Sequence, residues 1–421
     1  MQVARGAQDT VQRQADVPES SSAHGAITKA LLPLELTQFD ALQADTLQRL
    51  RNACLGVADW SDAPDGPNVV TVGQAYAEAT SASATGAVWP WPGVLFGGHA
   101  LIWAAAQEVL AQLAAALEVL RTDSSALRAG AVCKTLTDAA ALWQCLVLRP
   151  SELAQSAKRS LLHINTLFHL AAETALLPLG LTHACPHRAA VVAAAADAAA
   201  TFEELAAEKQ ALFVANSGDA VAHILQGVPQ LTAMDRRGGL AARKQAQKAS
   251  TALRSLAEAV SRACAPERQV IVFAGILGRT VAPVAARILA LPDISPADCD
   301  EICAVFEGIW SDVPAAAAKQ FQRSSGASGE SQWPPAWHSD AICDAIKHAC
   351  LPLRKLEAIG RLLKDRMAEI MPAWERGELQ AAGLSANEVA GVLRSVFEDN
   401  ALQRSNIATL EAASGAGGAA A

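Results

Sequence analysis

The chain has 421 residues, is 51% hydrophobic and 18% charged, and carries a formal net charge of −8. That length holds two or three domains or one long helical rod around a sizeable core, and the acidic balance excludes nucleic acid as a general partner, since phosphate binding needs a basic face. Abundant alanine with few alternating Val, Ile, Thr or Tyr runs reads as an all-α protein, and nine scattered cysteines read as reduced thiols of a cytoplasmic protein.

In chain order, residues 1–24 are polar, lack the apolar core of a signal peptide, and read as a disordered tail. A helical N-terminal segment is expected over 25–57, "ITKALLPLELTQFDALQADTLQRLRNACLGV". Residues 58–95, rich in Gly, Pro, Ser, Asp and Ala, read as a flexible linker. The linker closes on "WPWPG", whose prolines bar helix interior and whose Trp89 and Trp91 pack it down. Residues 96–310 then read as the middle of a helical-bundle rod, with helices expected near 98–122, 125–147, 151–178, 187–211, 239–263 and 267–290. The apolar run Val270 to Gly278 is too short to span a bilayer, and the stretch from Ala100 to Leu120 is broken by Gln107, Glu108, Gln112 and Glu118. Gly275 and Gly278 belong to no phosphate-binding loop, because no Lys-Ser/Thr follows; they read as places of close helix approach. One basic cluster, Arg236, Arg237, Arg243, Lys244 and Lys248, reads as a solvated helix face.

A polar loop is expected over 311–336 and a C-terminal helical domain over 337–410. In the latter, Ile342, Ile346, Cys350, Leu353, Leu356, Ile359, Leu363, Met367 and Ile370 recur three or four apart along one long helix kinked at Pro352. The last helix starts near Ser385, and 411–421 reads as a disordered tail.

Two acidic patches resolve into helix starts. In "ALPDISPADCDEICAVFEGIW", Ser295 stands at the N-cap, Pro296 at N1 and Asp298 at N3, so the acids meet the positive end of the helix dipole. Cys299 and Cys303 then share a stripe with Ile302, Phe306 and Ile309 and read as core thiols. In "LSANEV", Ser385 and Glu388 form a capping box, and Leu384 with Val389 a hydrophobic staple.

Chemistry-bearing residues are few. His183, Cys185 and His187 in "THACPHR" offer three soft ligands, but they alternate along a loop with no second cluster, which falls short of a metal site. His163 and His169 are six apart on a helix and read as core-edge or solvated. No catalytic constellation emerges, so the reading is non-enzymatic with no cofactor and no metal. A metal- or small-molecule-binding helical protein built on the His183 cluster, or a generic cytoskeletal adaptor, is the alternative.

The C-terminal third carries a resemblance. "RILALPDISPADCDEICAVFEGIW", "WPPAWHSDAICDAI" and "MPAWERGELQAAGLSANEVAGVLRSVFEDNALQRSNIATL" occur in that order. They resemble the C-terminal region of the Zeste-White-ten family of kinetochore and vesicle-tethering proteins. The matching positions run Leu291 to Ser295, Trp333 to Trp337, Trp374 to Gly377 and Ser385 to Phe397, with looser likeness back to about residue 125. The family's N-terminal coiled-coil half has no counterpart, as expected of a short homologue or a truncated gene model. The resemblance implies an elongated helical-bundle rod of the vesicle-tethering type. It implies a scaffold subunit for Golgi-to-endoplasmic-reticulum retrograde transport and for the kinetochore complex of the mitotic checkpoint. The implied partners are a Sec39-like (neuroblastoma-amplified) or Rough deal subunit, with SNAREs reached indirectly. The implied location is cytoplasmic, peripheral at the endoplasmic reticulum membrane through partners only, and at the kinetochore in mitosis. Val392, Val396, Phe397, Trp374 and Trp337 are the residues expected to meet the partner.

Overall fold

The computed structural model describes residues 44–45, 47–52, 69–71, 101–103, 105–122, 125–146, 156–181, 185–228, 231–232, 236–323 and 338–417. The fold is all-α, and the chain forms two compact units, Met1–Gln210 and Ala211–Ala421. That division falls inside the region the sequence reads as one continuous bundle.

In the first unit, helical residues 47–52 (α1) place Leu50 in the core. Strand β1, Val69–Thr71, pairs antiparallel with β2, Leu101–Trp103, with Val70 opposite Ile102. Part of the expected linker is therefore a strand, and the helix expected from residue 98 begins only at Ala105. The reason is local and tertiary together: "VVT" and "LIW" suit a pleated, half-buried surface, and the Trp103 backbone N–H donates to Thr166 Oγ1 at 3.0 Å. Helices α2 (Ala105–Thr122), α3 (Ala126–Leu146) and α4 (Ala157–Leu176) follow, the last running into a 3₁₀ turn at Leu177–Gly180. Helix α5, Arg188–Gln226, contributes residues up to Gln210 to this unit. Leu113, Leu136, Trp143, Leu167, Leu170 and Phe202 fill the core.

Helix α5 is far longer than the expected 187–211. Helix runs straight through "NSGD" (Asn216 to Asp219), residues of weak helix propensity. Tertiary contacts within the second unit override the local preference. A Cβ at Gly218 would lie 2.5 Å from Arg279 Cβ, so only glycine lets the neighbouring helix come this close. Asp219 accepts a two-pronged bond from Arg279, at 2.8 and 3.3 Å.

The rest of the second unit comprises α6 (Arg236–Ala263), α7 (Pro266–Leu289), α8 (Pro296–Glu307), a π-helical turn at Gly308–Asp312, α9 (Val313–Arg323), α10 (Ser339–Ala349), α11 (Leu351–Lys364), α12 (Met367–Glu375), the single turn α13 (Glu378–Ala381), α14 (Ala386–Val396) and α15 (Ala401–Gly417). Helix α7 lies at the centre, packed by α6, α10, α11 and α14. It has the length and apolarity of a membrane span, but Phe273, Ile276, Leu277, Val281 and Val284 are buried within the unit. Two of its buried polar side chains donate to backbone carbonyls: Gln269 through its amide nitrogen to Ser261 and Cys264, and Thr280 to Ile276, while Gln269 Oε1 meets no partner among the described residues. Of the two glycines read as close approaches, Gly275 is one, since a Cβ there would sit 3.0 Å from Val214; Gly278 makes only ordinary contacts.

Three expectations are corrected in this unit. The region read as a polar loop from 311 is helical as far as Arg323, because Val313, Ala317, Ala318 and Phe321 form a buried stripe. The long kinked helix expected along the stripe from Ile342 to Ile370 is three helices. Cys350 leaves helical geometry at φ −111° and ψ 83°, and Pro352 sits in the first turn of α11, where its missing N–H costs nothing. A second break falls at Asp365 and Arg366, where the Glu369 carboxylate accepts from the Arg366 backbone N–H. Finally, the tail expected from 411 is helix through Gly417, anchored by the fully buried Leu410 and rich in alanine.

Candidate functional site

The elements holding the expected partner residues are built from caps. Trp374 ends α12 at a glycine turn: Gly377 has φ +78° and its N–H bonds the Trp374 carbonyl. Gly383, at φ +86°, closes α13, with Gly383 N–H on Gln380 O and Leu384 N–H on Leu379 O. Helix α14 then starts at Ser385. The Ser385 hydroxyl accepts from Glu388 N at 3.3 Å, and Glu388 Oε2 accepts from Ser385 N at 3.0 Å. Glu388 Oε1 also accepts from Lys355 Nζ of α11 at 2.6 Å. Partial burial pushes the Glu388 carboxyl up, but the Lys355 ammonium and the Ser385 backbone and hydroxyl outweigh it and hold the group below its ordinary range.

The far end of α14 is equally tied. The buried Gln403 amide donates to the carbonyls of Leu393 and Phe397 at 2.8 and 3.0 Å. Asn400 Oδ1 caps α15 through Gln403 N at 2.9 Å, and Arg394 reaches Glu411 across the two helices. Ile294 N–H donates to Ser395 O at 2.7 Å, which binds the approach to α8 to this corner. The corner is therefore rigid, and what it leaves exposed is fixed in place.

The expected partner residues do not share one surface. Val392 is only 3% exposed; its side chain belongs to the chain's own core beside Val389 and Leu393, which corrects its assignment as a partner contact. Val396 and Phe397 are partly exposed at the end of α14. Leu402, which the sequence reading did not single out, is 56% exposed on the first turn of α15, with Ile407 partly exposed further along. Trp374 is partly exposed on α12, and Trp337 lies outside the described residues.

The first acidic patch is architecture too. Ser295 Oγ accepts from Asp298 N at 3.2 Å and donates to Asp298 Oδ2 at 2.7 Å. Glu301 receives a fork from Arg243, at 2.9 and 2.6 Å, which fastens α8 to α6. Gly239 permits the carboxylate to lie there, because a Cβ would meet Glu301 Oε1 at 2.5 Å. Cys299 and Cys303 are buried, and burial raises both thiols, Cys303 to about 11, so neither supplies thiolate at neutral pH.

Sequence reasoning missed the polar interior of the first unit. His163 and His169, expected at the core edge or in solvent, are both buried on α4 with Asn165, Thr166 and Thr174. Burial lowers His163 to about 3, helped by the charge on Lys209, and lowers His169 to about 4. The His163 ring lies 5.3 Å from the Trp103 ring. The Nδ1 atoms of both histidines and Thr174 Oγ1 find no hydrogen-bond partner among the described residues. The available signal was the near absence of charge between Leu161 and Ala172, which makes this helix apolar on every side. Both imidazoles stay neutral through the physiological range.

Of the His183 cluster, Cys185 and His187 are partly exposed and His183 lies outside the described residues. Among the described residues no three His, Cys, Asp or Glu side chains are grouped to hold a metal ion. Neither the models of known protein families nor the curated proteins include a match to this chain.

Proposed function

We propose that the chain is a non-enzymatic scaffold subunit of a tethering complex, serving Golgi-to-endoplasmic-reticulum retrograde transport and the kinetochore complex of the mitotic checkpoint. It engages a Sec39-like or Rough deal subunit through the corner between α14 and α15. The motifs that resemble the Zeste-White-ten family carry this reading, together with where they fall. "SPAD", "AWERG", "LSANEV" and "FEDNAL" each sit at a helix start or end in an all-helical unit. A scaffold needs junctions more than it needs chemistry, and the capped corner presents Val396, Phe397 and Leu402 from a rigid base. Aromatic and aliphatic side chains on rigid elements are the usual anchors of helical interfaces.

The test is coprecipitation of the Sec39-like and Rough deal subunits with Phe397→Asp, Leu402→Asp chain. Loss of capture with unchanged circular dichroism is expected, while Glu398→Ala, Asp399→Ala captures normally, because exposed rim charges contribute little. Undiminished capture by the folded Phe397→Asp, Leu402→Asp chain defeats the reading. Deleting 385–421 is the poorer test, since it removes the buried Val389, Leu393 and Leu410 as well.

A further inference from the structure

The basic face of α6 stands apart from the rest of a chain with 34 basic and 42 acidic side chains. From Arg236 to Arg254 the sequence places six cations and no acid. Helix α6 buries Ala242, Ala246, Ala249, Leu253, Ala257 and Val260 against its own unit. The opposite side presents Leu240, Lys244, Gln247, Lys248, Thr251, Arg254 and Ser255 to solvent. Arg243 is held by Glu301, and Arg262 pairs with Glu258 beyond the run. Lys244, Lys248 and Arg254 make no ion pair among the described residues.

This arrangement works against the stability of the helix itself. Like charges four apart, as at Lys244 and Lys248, repel. Cations in the first turn, where α6 begins with Arg236 and Arg237 and has no acid, oppose the helix dipole. A solvated face chosen for stability alone would interleave acids, as Glu258 and Arg262 do at the other end.

We propose that this face docks on an anionic lipid surface. Two features select a membrane over other anions. The cations run from Arg236 to Arg254, about 28 Å of the helix, so they suit a spread of headgroups rather than one small anion. Leu240 is 65% exposed, the highest of the large hydrophobics among the described residues, and it sits among the cations. A bilayer offers negative charge at its surface and an apolar layer a few ångströms below, which accommodates both kinds of side chain at once. Nucleic acid or an acidic peptide supplies the charge without the apolar layer. The proposal goes beyond the tethering reading, which brings the chain to membranes through partners only, and its test uses no partner.

The experiment is co-sedimentation of the full chain with vesicles of phosphatidylcholine containing about 30 mol% phosphatidylserine, against phosphatidylcholine alone, near physiological salt. Binding to the anionic vesicles alone is expected, weakening as salt rises. Each cation replaced should weaken binding about fivefold, so Lys244→Gln, Lys248→Gln, Arg254→Gln together cost about 100-fold. Leu240→Ser should cost roughly tenfold more through the lost apolar contact. All four positions are exposed, so these variants keep the fold, which circular dichroism verifies. Equal binding to both vesicle types, or anionic binding unmoved by the triple variant, overturns the proposal. So does binding to polyglutamate or to an RNA duplex in the absence of binding to vesicles.

Discussion

The two units bury polarity differently. In the first, α4 takes two neutral histidines and a threonine into the core with polar atoms that meet no partner among the described residues. In the second, the central helix α7 buries Gln269 and Thr280, which donate to backbone carbonyls although Gln269 Oε1 meets no partner among the described residues, and the neighbouring helices close in over glycines. An unpaired buried polar group costs free energy that a paired one does not. Both units carry such a cost, but only in the first, among the described residues, does it fall on buried histidines that must stay neutral, whereas the close approaches over glycine make the second sensitive to added volume.

Acid should separate them most strongly. In the folded chain His163 and His169 sit near 3 and 4, below the value of 6.5 they regain on unfolding. Folded values below the unfolded one mean that the unfolded chain binds the extra protons. The stability of the first unit is thus complete above about pH 6.5 and falls as pH drops toward 4 and then 3. At pH 4.5 each histidine should have cost roughly 2–3 kcal/mol relative to neutral pH. The described histidines of the second unit, His223, His338 and His348, are exposed. Hydrogen exchange at pH 7 and pH 4.5 should show protection collapsing in α2 to α4 while α7 and α11 keep theirs. Replacing both histidines by Leu should flatten the response, and equal loss in both units would break the contrast.

Glycine substitutions probe the geometry of the second unit. At Gly360 a Cβ would lie 2.8 Å from the Trp310 ring, which packs there from the π-helical turn. At Gly218 it would lie 2.5 Å from Arg279 Cβ and 3.1 Å from the Ile276 carbonyl. Alanine gains about 1 kcal/mol of helix propensity at either site, but overpacking costs about 1–3 kcal/mol, so Gly360→Ala and Gly218→Ala should each lower stability by up to about 2 kcal/mol. Gly391, with nothing within 4 Å, is the control: Gly391→Ala should raise stability by up to about 1 kcal/mol. Denaturant midpoints read all three, and a stabilised Gly360→Ala would show that Trp310 yields easily.

The smallest effect concerns the start of α14. Ser385→Ala should cost about 1 kcal/mol as a lost N-cap. Sequence spacing alone ranks Glu388 below Ser385, as a secondary member of the box. The structure removes that ranking, because Glu388 also holds Lys355 from α11, so Glu388→Ala should cost about as much. Thermal melts of the two variants and of Lys355→Met decide this; a silent Lys355→Met returns Glu388 to the lesser role.

Much of the helical layout was legible because its signals are local. The starts at Ser295 and Ser385 need only a short side chain three residues before an acid. The stripe of Cys299, Ile302, Cys303 and Phe306 needs only the helical period. Misreadings came where a neighbour overrode a local preference. The helix expected to end at 211 runs on through "NSGD", because Arg279 and α7 claim Asp219 and Gly218. "VVT" looks like linker and is strand, because "LIW" about thirty residues later pairs with it. Val392 and Phe397 look equivalent on one stripe, and only packing buries the first and leaves the second partly open.

By itself, then, the sequence determined helix periodicity, the caps that begin two of the helices, and the charge pattern of α6. Each depends on residues within about two turns of one another, where the spacing of side chains is set by the backbone. Tertiary structure alone decided that α5 runs unbroken past Gly218, that His163 and His169 are shut from water, and that Glu301 is spoken for by Arg243. Those outcomes join residues far apart in the chain, and burial is a property of what surrounds a side chain rather than of the side chain itself.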